Sequence, residues 1–345
     1  LRVAMPLGLG KPVELIDALY RRASSDPSIS LTILTALSLA RPRENDPIRG
    51  RLLNPVFDRL YAKYSEPLYL QAERKGEMPA NIQLCEFYFK AGSRLGHVSA
   101  QQNYISSNYT HAARDVVARG CNVVIQLLSQ EGDALSMSCN PDTSAEVVAR
   151  LKQAKRDYVA VGVVHPSLPF MYGDAEIDPA QFDFLALTNK EQHDLFQVPR
   201  LPPIPDADYA IGLRASTLIR DGGTLQLGIG AMGDAIVQSV LLRHQRNADY
   251  RELLKKFDVD SSGADLVDAI GGRNIFEQGL YGATEMFVEG FLHLFEAGVL
   301  RRRVYDFWAL QELINLGQCN PLALTPDCLA LLAELGVREL RGKDF

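Results

Sequence analysis

The sequence predicts an α/β protein of two domains, and three observations support this expectation. Short apolar runs alternate with segments of helical periodicity along most of the chain, a pattern typical of layered α/β domains. The length of 345 residues exceeds the usual size of one domain. Four prolines fall within Pro199–Asp208, where they make a stiff connector. We therefore expect a first domain over residues 1–200, a linker over 201–208 and a second domain over 209–345.

The first domain is predicted to open with a strand, a Gly-rich turn and a helix. Leu15, Ile16 and Leu19 recur at helical spacing and define one apolar helix face. Expected strands cover Leu1–Met5, Ile29–Leu37, Cys121–Leu128, Ala134–Cys139 and Tyr158–Val164. Expected helices cover Val13–Ala23, Pro55–Lys75 with a break at Pro67, His111–Arg119 with Thr110 as N-cap, and Thr143–Arg156. Strands joined through helices in this way favour a largely parallel sheet.

The second domain is predicted to repeat the alternation with longer helices. Expected helices cover Tyr209–Ile219, Asp234–His244, Tyr250–Phe257 and Phe287–Ala297, followed by a mostly helical tail over Asp306–Leu340. Expected strands cover Thr224–Leu227 and Phe276–Tyr281, the latter running on to Thr284 and Glu285. Each predicted strand therefore leads into a polar or Gly-rich turn, where ligands bind in open α/β sheets.

The charge and cysteine content exclude several classes of protein. The net charge of −6 argues against a nucleic-acid binder, which would carry a basic face. No apolar run approaches the ~20 residues that a membrane helix needs. The five cysteines are scattered and form no Cys-x-x-Cys pair, so we expect neither a disulfide framework nor a metal site, and a reducing cytoplasm fits best.

Two turns of the form Gly-x-Gly each follow a predicted strand and precede a helix. One is Gly8–Gly10, and the other comprises Gly228, Ile229 and Gly230, continued by Ala231 and Met232. Glycines let backbone N–H groups approach a phosphate closely, and the helix dipole favours the anion. A tight structural turn is the alternative for either segment.

A dinucleotide site is a second alternative for the turn at Gly228, because Gly228–Gly233 matches Gly-x-Gly-x-x-Gly. Asp249 lies 21 residues further on, near the spacing of the ribose-binding acid. It follows a polar stretch rather than a strand, which disfavours this interpretation. A P-loop is excluded at the first turn, because Pro12 stands where Ser or Thr is required.

Glu285 directly follows Thr284, at the end of the predicted strand that runs on from Phe276–Tyr281. A carboxylate at the end of a buried strand points into the crevice where an open α/β sheet binds its ligand. Taken alone, the pattern also suits a capping or solvated glutamate. Glu289 lies one helical turn further on, and residue type alone cannot separate the two.

The motifs together resemble the acetyl-CoA hydrolase/transferase family, a branch of the family I CoA transferases. The resemblance is carried by Leu225–Ala231 (LQLGIGA) and by the Gly-x-x-x-x-Thr-Glu-Met-Phe sequence of Gly279–Phe287. Similar stretches are Val3–Pro12, Val164–Asp174, Pro202–Asp208 and Ile219–Thr224. Coverage is most of the chain, with little resemblance in Arg41–Lys90 and after Arg301.

The resemblance implies two CoA-transferase-like domains (the NagB/RpiA/CoA transferase-like fold), each an open sheet with flanking helices. It implies Glu285 as the nucleophile, with Gly228, Ile229, Gly230, Ala231 and Met232 holding coenzyme A, which is a substrate rather than a bound cofactor. The reaction would move CoA between an acyl-CoA and a small carboxylic acid, or hydrolyse the thioester at the same site. A non-catalytic CoA- or nucleotide-binding module is the alternative, and a homodimer is compatible with the family.

The sequence departs from the family at its end. It stops at Phe345, before a further Gly-rich segment that family members carry in the second domain. We therefore expect the second domain to be incomplete here and residues 1–345 alone to have little activity. The tail Arg301–Leu340 has the character of an insertion in the family pattern.

Overall fold

The computed structural model describes residues 1–187, 194–196, 203–259, 263–284, 287–320 and 323–340. The chain divides into two compact units, Leu1–Pro199 and Arg200–Phe345. Of the Pro-rich segment 199–208, residues 199–202 lie outside the described residues. No helix among the described ranges is long and apolar enough to cross a membrane.

The first unit contains an eight-stranded sheet. Its strands are β1 (Arg2–Ala4), β2 (Leu31–Thr35), β3 (Ile82–Glu86), β4 (Val123–Glu131), β5 (Ala134–Ser136), β6 (Val159–Val164), β7 (Glu176–Ile177) and β8 (Phe184–Leu187). Six are parallel in the order β3-β2-β1-β4-β6-β8, while β5 and β7 extend β4 in antiparallel fashion. The order reverses between β1 and β4, as in doubly wound sheets.

Helices cover both faces of this sheet. They are α1 (Val13–Ser25), α2 (Pro47–Leu60), α3 (Leu68–Lys75), α4 (Val98–Gln102), α5 (Ala112–Ala118) and α6 (Asp142–Gln153). One core packs Ile16 of α1 and Leu70 of α3 against the sheet. A second core packs Val116 of α5 and Leu151 of α6. The apolar runs of the strands are thus buried on both sides, as a parallel sheet requires.

Three expectations for the first unit are corrected. The segment expected to be helical over Pro55–Lys75 belongs to two helices, of which the first begins at Pro47 and ends at Leu60 and the second begins at Leu68. Thr110 does not cap a helix: it lies in the short 3-10 turn Tyr109–His111, and its backbone N–H donates to the Asn108 side chain at 3.2 Å. The helix begins only at Ala112. The strand Ile82–Glu86 was not expected from the sequence, yet it pairs with β2 over five residues.

The second unit has seven helices and a two-stranded parallel sheet within its described residues. The helices are α7 (Asp206–Thr217), α8 (Ala231–Gln245), α9 (Asn247–Lys256), α10 (Ala264–Ile270), α11 (Glu289–Glu296), α12 (Trp308–Asn315) and α13 (Pro326–Glu334). The strands are β9 (Thr224–Gln226) and β10 (Tyr281–Ala283). A core of Leu225, Val240, Phe276, Leu280, Phe291 and Leu294 packs α8 and α11 against them.

The strand expected over Phe276–Tyr281 is shorter and later than predicted. Phe276 is fully buried, but the paired residues are Tyr281–Ala283. The backbone N–H groups of Glu277, Gln278 and Gly279 donate to the Asp221 carboxylate instead of to a neighbouring strand.

A disulfide joins Cys319, which follows α12, to Cys328 of α13. No disulfide was expected from the scattered cysteine spacing. The reason lies in packing, because α12 and α13 share a small core that brings the two Cα atoms within 5.6 Å. Cys85, Cys121 and Cys139 take no part in a disulfide among the described residues.

Candidate functional site

The candidate site lies at the carboxyl edge of the sheet formed by β9 and β10. Parallel pairing places Gln226 opposite Ala283, so both strands end at the same edge. The hydroxyl of Thr284 then donates to the Leu227 carbonyl over 3.0 Å between the oxygens. The chain after β10 therefore starts beside the Gly-rich turn that follows β9, and two loops distant in sequence meet there.

The turn at Gly228 presents an open backbone surface. A Cβ built on Gly228 or Gly230 would have no heavy atom within 4 Å. Gly230 is the N-cap of α8 and adopts φ of 144°, a conformation that favours glycine. A Cβ on Gly233 would lie 2.6 Å from the Gly228 carbonyl oxygen. Gly233 thus lets the turn fold closely onto the helix, while Gly228 and Gly230 leave room for a ligand.

The helix that follows this turn gives it a positive electrostatic character. The first amides of a helix have no carbonyl acceptor within that helix, and the aligned peptide dipoles add partial positive charge there. α8 extends over 15 residues from Ala231. Asp234 lies in its first turn and opposes part of this potential. The arrangement is suited to an anionic group that approaches the backbone closely.

The turn at Gly8 in the first unit has a different environment. A Cβ on Gly10 would lie 2.8 Å from both Asn140 Cβ and Pro6 Cγ. Lys11 is 3% exposed, and its ammonium donates to the Ala36 carbonyl at 2.6 Å. Gly10 and Lys11 of this turn are thus enclosed by protein neighbours, whereas a Cβ on Gly8 would meet Leu37 at 4.0 Å, an ordinary contact.

The sequence of this chain is similar in part to that of a known protein. No protein-family model matches the chain. Over 89 residues the chain is 33% identical to a 4-hydroxybutyrate coenzyme A transferase from Clostridium kluyveri, a match that covers 26% of this chain and 19% of that relative. The chain is thus similar to a CoA transferase over about a quarter of its length. This similarity confirms the predicted resemblance to CoA transferases, and it spans less than a fifth of the relative's length.

Solved structures share the fold of this chain. RipA from Yersinia pestis superposes with a TM-score of 0.54 at 17% identity, covering 88% of this chain and 57% of RipA. A RipA variant gives a TM-score of 0.57 at 16% identity, with the same coverage of both chains. At such identities the likeness concerns the fold alone, and it confirms the predicted α/β class. The chain spans somewhat more than half the length of RipA.

The predicted site residues divide into two groups. Gly228, Ile229, Gly230, Ala231 and Met232 form the open turn and the start of α8, with Ile229 63% and Met232 37% exposed. Glu285 lies outside the described residues, as does Met286. Thr284 is the last described residue before them, and the hydrogen bond to Leu227 fixes its place.

Glu289, the other candidate nucleophile, opens α11 in a solvated position. Its side chain is 85% exposed, with His293 at 3.8 Å on the same helix. The helix expected from Phe287 begins instead at Glu289: Phe291 and Leu294 are buried on it, whereas Phe287 precedes it and is 67% exposed. A glutamate in the first turn of a helix interacts favourably with the dipole, which accounts for Glu289 without a catalytic role.

Asp249 does not occupy the position of a ribose-binding acid. It lies in α9, and its carboxylate accepts a hydrogen bond from Arg246 on the surface. The acid of a dinucleotide site ends a strand, so the structure disfavours the dinucleotide alternative.

Sequence reasoning missed the buried Arg243. Its guanidinium donates to the carbonyls of Ser216, Ile219 and Asn274 at 2.7–2.8 Å and lies 4.2 Å from the centre of the Phe276 ring. Burial lowers the pKa of Arg243. The residue ties the end of α7 and the approach to β10 onto α8. An arginine beside His244 near a helix end gives no such signal in the sequence.

Proposed function

We propose that this chain carries the nucleophile and part of the CoA-binding surface of a CoA transferase, with Glu285 as the nucleophile. One observation carries the proposal: Thr284, the residue before Glu285, is hydrogen-bonded to Leu227 at the start of the open Gly-rich turn. Thr284 therefore lies beside a backbone surface suited to an anion, and Glu285 is the next residue in the chain. The relationship to a CoA transferase supports the same conclusion.

The chemistry requires a carboxylate at this point. The Glu285 oxygen attacks the carbonyl carbon of an acyl-CoA thioester, the carbon–sulfur bond breaks, and CoA leaves as a thiolate. The thiolate then attacks the glutamyl carbonyl of the mixed anhydride, which releases the first carboxylate. An acceptor carboxylate attacks the resulting glutamyl thioester, which forms a second mixed anhydride and releases the thiolate again. The thiolate then attacks the acceptor's acyl carbon in that anhydride, which forms the new acyl-CoA and releases the Glu285 carboxylate. Each step conserves the activated acyl group.

The Gly-rich turn is proposed to hold CoA during this exchange. Gly228, Ile229, Gly230, Ala231 and Met232 would contact the pyrophosphate or the pantetheine arm through backbone amides at the start of α8. Binding of the nucleotide end offsets the cost of orienting the thioester beside the nucleophile. Water in place of the acceptor carboxylate would make the same site a hydrolase.

The test measures CoA exchange by the full-length protein between an acyl-CoA and an isotopically labelled carboxylate. Glu285→Gln should lower exchange by at least ~1,000-fold, as expected for loss of a nucleophile, with CoA affinity largely intact. Glu285→Asp should also fail, because its carboxylate is withdrawn by one methylene from a geometry that tolerates ~0.5 Å. The matched control is Glu289→Gln, which should keep wild-type exchange.

Three outcomes would change the proposal. If CoA exchange survives Glu285→Gln but is lost in Glu289→Gln, the nucleophile is Glu289 and the assignment of Glu285 is wrong. Thioester loss without label exchange would make the protein a hydrolase. CoA binding without any turnover by the full-length wild type would leave a non-catalytic CoA-binding module.

A further inference from the structure

Asp221 binds an unusual number of backbone amides for one carboxylate. It accepts N–H groups from Glu277 at 2.9 Å, Gln278 at 3.0 and 3.1 Å, and Gly279 at 2.9 Å. The N–H of the adjacent Gly222 donates to it at 3.1 Å. One side chain, located just before β9, therefore holds three consecutive residues located just before β10.

Glycines on both sides make this arrangement possible. Gly222 has φ of 76° and Gly279 has φ of 83°, conformations that side chains disfavour. The Gly222 N–H donates to the Gly279 carbonyl and the Tyr281 N–H to the Gly223 carbonyl, both at 3.0 Å. A Cβ on Gly279 would lie 2.9 Å from the Val299 carbonyl oxygen. The backbone is thus turned so that the amides of residues 277–279 face the carboxylate.

The sheet that follows is too short to fix its own register. β9 and β10 pair over three residues, and a two-stranded ladder of this kind is marginal by itself. Slipping a parallel ladder by one residue moves each residue by about 3.3 Å and reverses the face that each side chain occupies. A catalytic group tolerates about 0.5 Å. Contacts outside the ladder must therefore contribute to the register, and among the described residues these include the pairing of Leu280 with Leu300 and the Asp221 carboxylate.

We propose that Asp221 is the positioning residue that sets the register of β10 against β9, and so places Thr284, the residue before Glu285, beside the Gly-rich turn. This rests on the proposed role of Glu285. Asp221 itself acts at the opposite end of the strands and touches no reacting atom. Its effect is transmitted by the strand, whose far end is fixed through Thr284 and Leu227.

An ionised carboxylate suits this role better than an amide. It offers two oxygens with about four acceptor positions, and hydrogen bonds to a charged acceptor are stronger than neutral ones. Asparagine has one acceptor oxygen, and its NH₂ group would face backbone N–H donors. Asp221→Asn therefore keeps the size of the side chain while removing about half of its acceptors.

The experiment compares Asp221→Asn with wild type in the full-length protein. Amides 277–279 should exchange hydrogen at least tenfold faster, and kcat per CoA-binding site should fall at least tenfold. The Kd for CoA should stay within threefold of the wild-type value, because Asp221 holds the residues before β10 whereas the Gly-rich turn leads into α8. The matched control is Asp249→Asn, whose carboxylate pairs with the exposed Arg246, and it should change none of the three quantities.

A purely structural role would lower the melting temperature and the number of CoA-binding sites but leave kcat per site unchanged, and that result would overturn the proposal. Unchanged exchange at amides 277–279 would overturn it as well. If Asp221→Asn does not fold, Asp221→Glu keeps the carboxylate with a longer arm. The kcat of Asp221→Glu should fall in proportion to the increase in the hydrogen-exchange rate of amides 277–279. A kcat that does not follow this rate would contradict the proposal that Asp221 sets the register. Failure of the proposed function is recognised separately, because Glu285→Gln would then retain activity with Asp221 intact.

Discussion

The two Gly-rich turns of this chain share a sequence pattern and differ in what surrounds them. Each follows a parallel strand and precedes a helix, at Gly8–Gly10 in the first unit and at Gly228–Gly230 in the second. At the first turn, Gly10 is buried against Asn140 and Pro6. At the second, Gly228 and Gly230 face open space. One glycine pattern therefore serves close packing in one unit and leaves a free backbone surface in the other.

The difference shows what a Gly-x-Gly motif can and cannot predict. Glycine is required wherever a chain passes close to another group, whether that group belongs to the protein or to a ligand. The residues that decide between these cases are distant in sequence. Asn140 packs against Gly10 of the first turn from the segment before α6, whereas Thr284 bonds to Leu227 at the edge of the second.

The largest effect is expected for Gly10→Val. The new side chain would enter space already held by Asn140 and Pro6, each 2.8 Å from the Cβ position. Overpacking of a core costs about 1–3 kcal/mol or more. We expect the upper end of this range because neither Asn140 Cβ nor the Pro6 ring can move away by rotation of a side chain. Denaturant unfolding measures this loss, and CoA affinity of the folded protein should be unchanged. A stable variant with weaker CoA binding would reverse our comparison of the two turns.

Gly230→Val should have the next largest effect. It should weaken CoA binding by at least tenfold, or ~1.4 kcal/mol, because the side chain covers the amides at the start of α8. The backbone at Gly230 has φ of 144°, so a β-branched residue there also lowers stability. Calorimetric titration with CoA and denaturant unfolding separate the two effects. Unchanged CoA affinity in the folded variant would refute contact with this residue.

Gly228→Val should give a smaller and cleaner effect. Gly228 has an open Cβ direction and no left-handed backbone conformation, so the unfolding free energy should change by less than about 0.5 kcal/mol. CoA affinity should fall about three- to tenfold, since the side chain stands over the same surface. The control is Gly132→Val in the hairpin between β4 and β5, which should leave CoA affinity unchanged. Equal CoA affinities for both variants would make the second turn structural, like the first.

Much of the fold follows from local sequence. The helix from Val13 begins at the predicted residue, and the strand from Val159 begins one residue after the predicted one. Apolar periodicity and turn residues determine such elements, and both are visible in a short window of sequence. The hairpin at Gly132 is of the same kind, with β4 and β5 paired as expected.

The remaining features depend on contacts that no local pattern contains. Asp221 removes residues 277–279 from the predicted strand by binding their amides. Asn108 rather than Thr110 accepts the N–H that begins the turn before α5. The pairing of Cys319 with Cys328 depends on the packing of α12 and α13. For the candidate site, sequence motifs predict the Gly-rich turn and Glu285. The hydrogen bond between Thr284 and Leu227, which joins the two loops, is a property of the fold.

The central claim is that Glu285 forms the covalent intermediate, and trapping that intermediate tests it most directly. The full-length protein is incubated with an acyl-CoA, reduced with borohydride and digested for peptide mapping by mass spectrometry. We expect one glutamate, Glu285, to be converted to its reduced form, only when acyl-CoA is present, and not in Glu285→Gln. Reduction at Glu289 or at another residue, or full exchange activity with no reduced glutamate, would contradict the account.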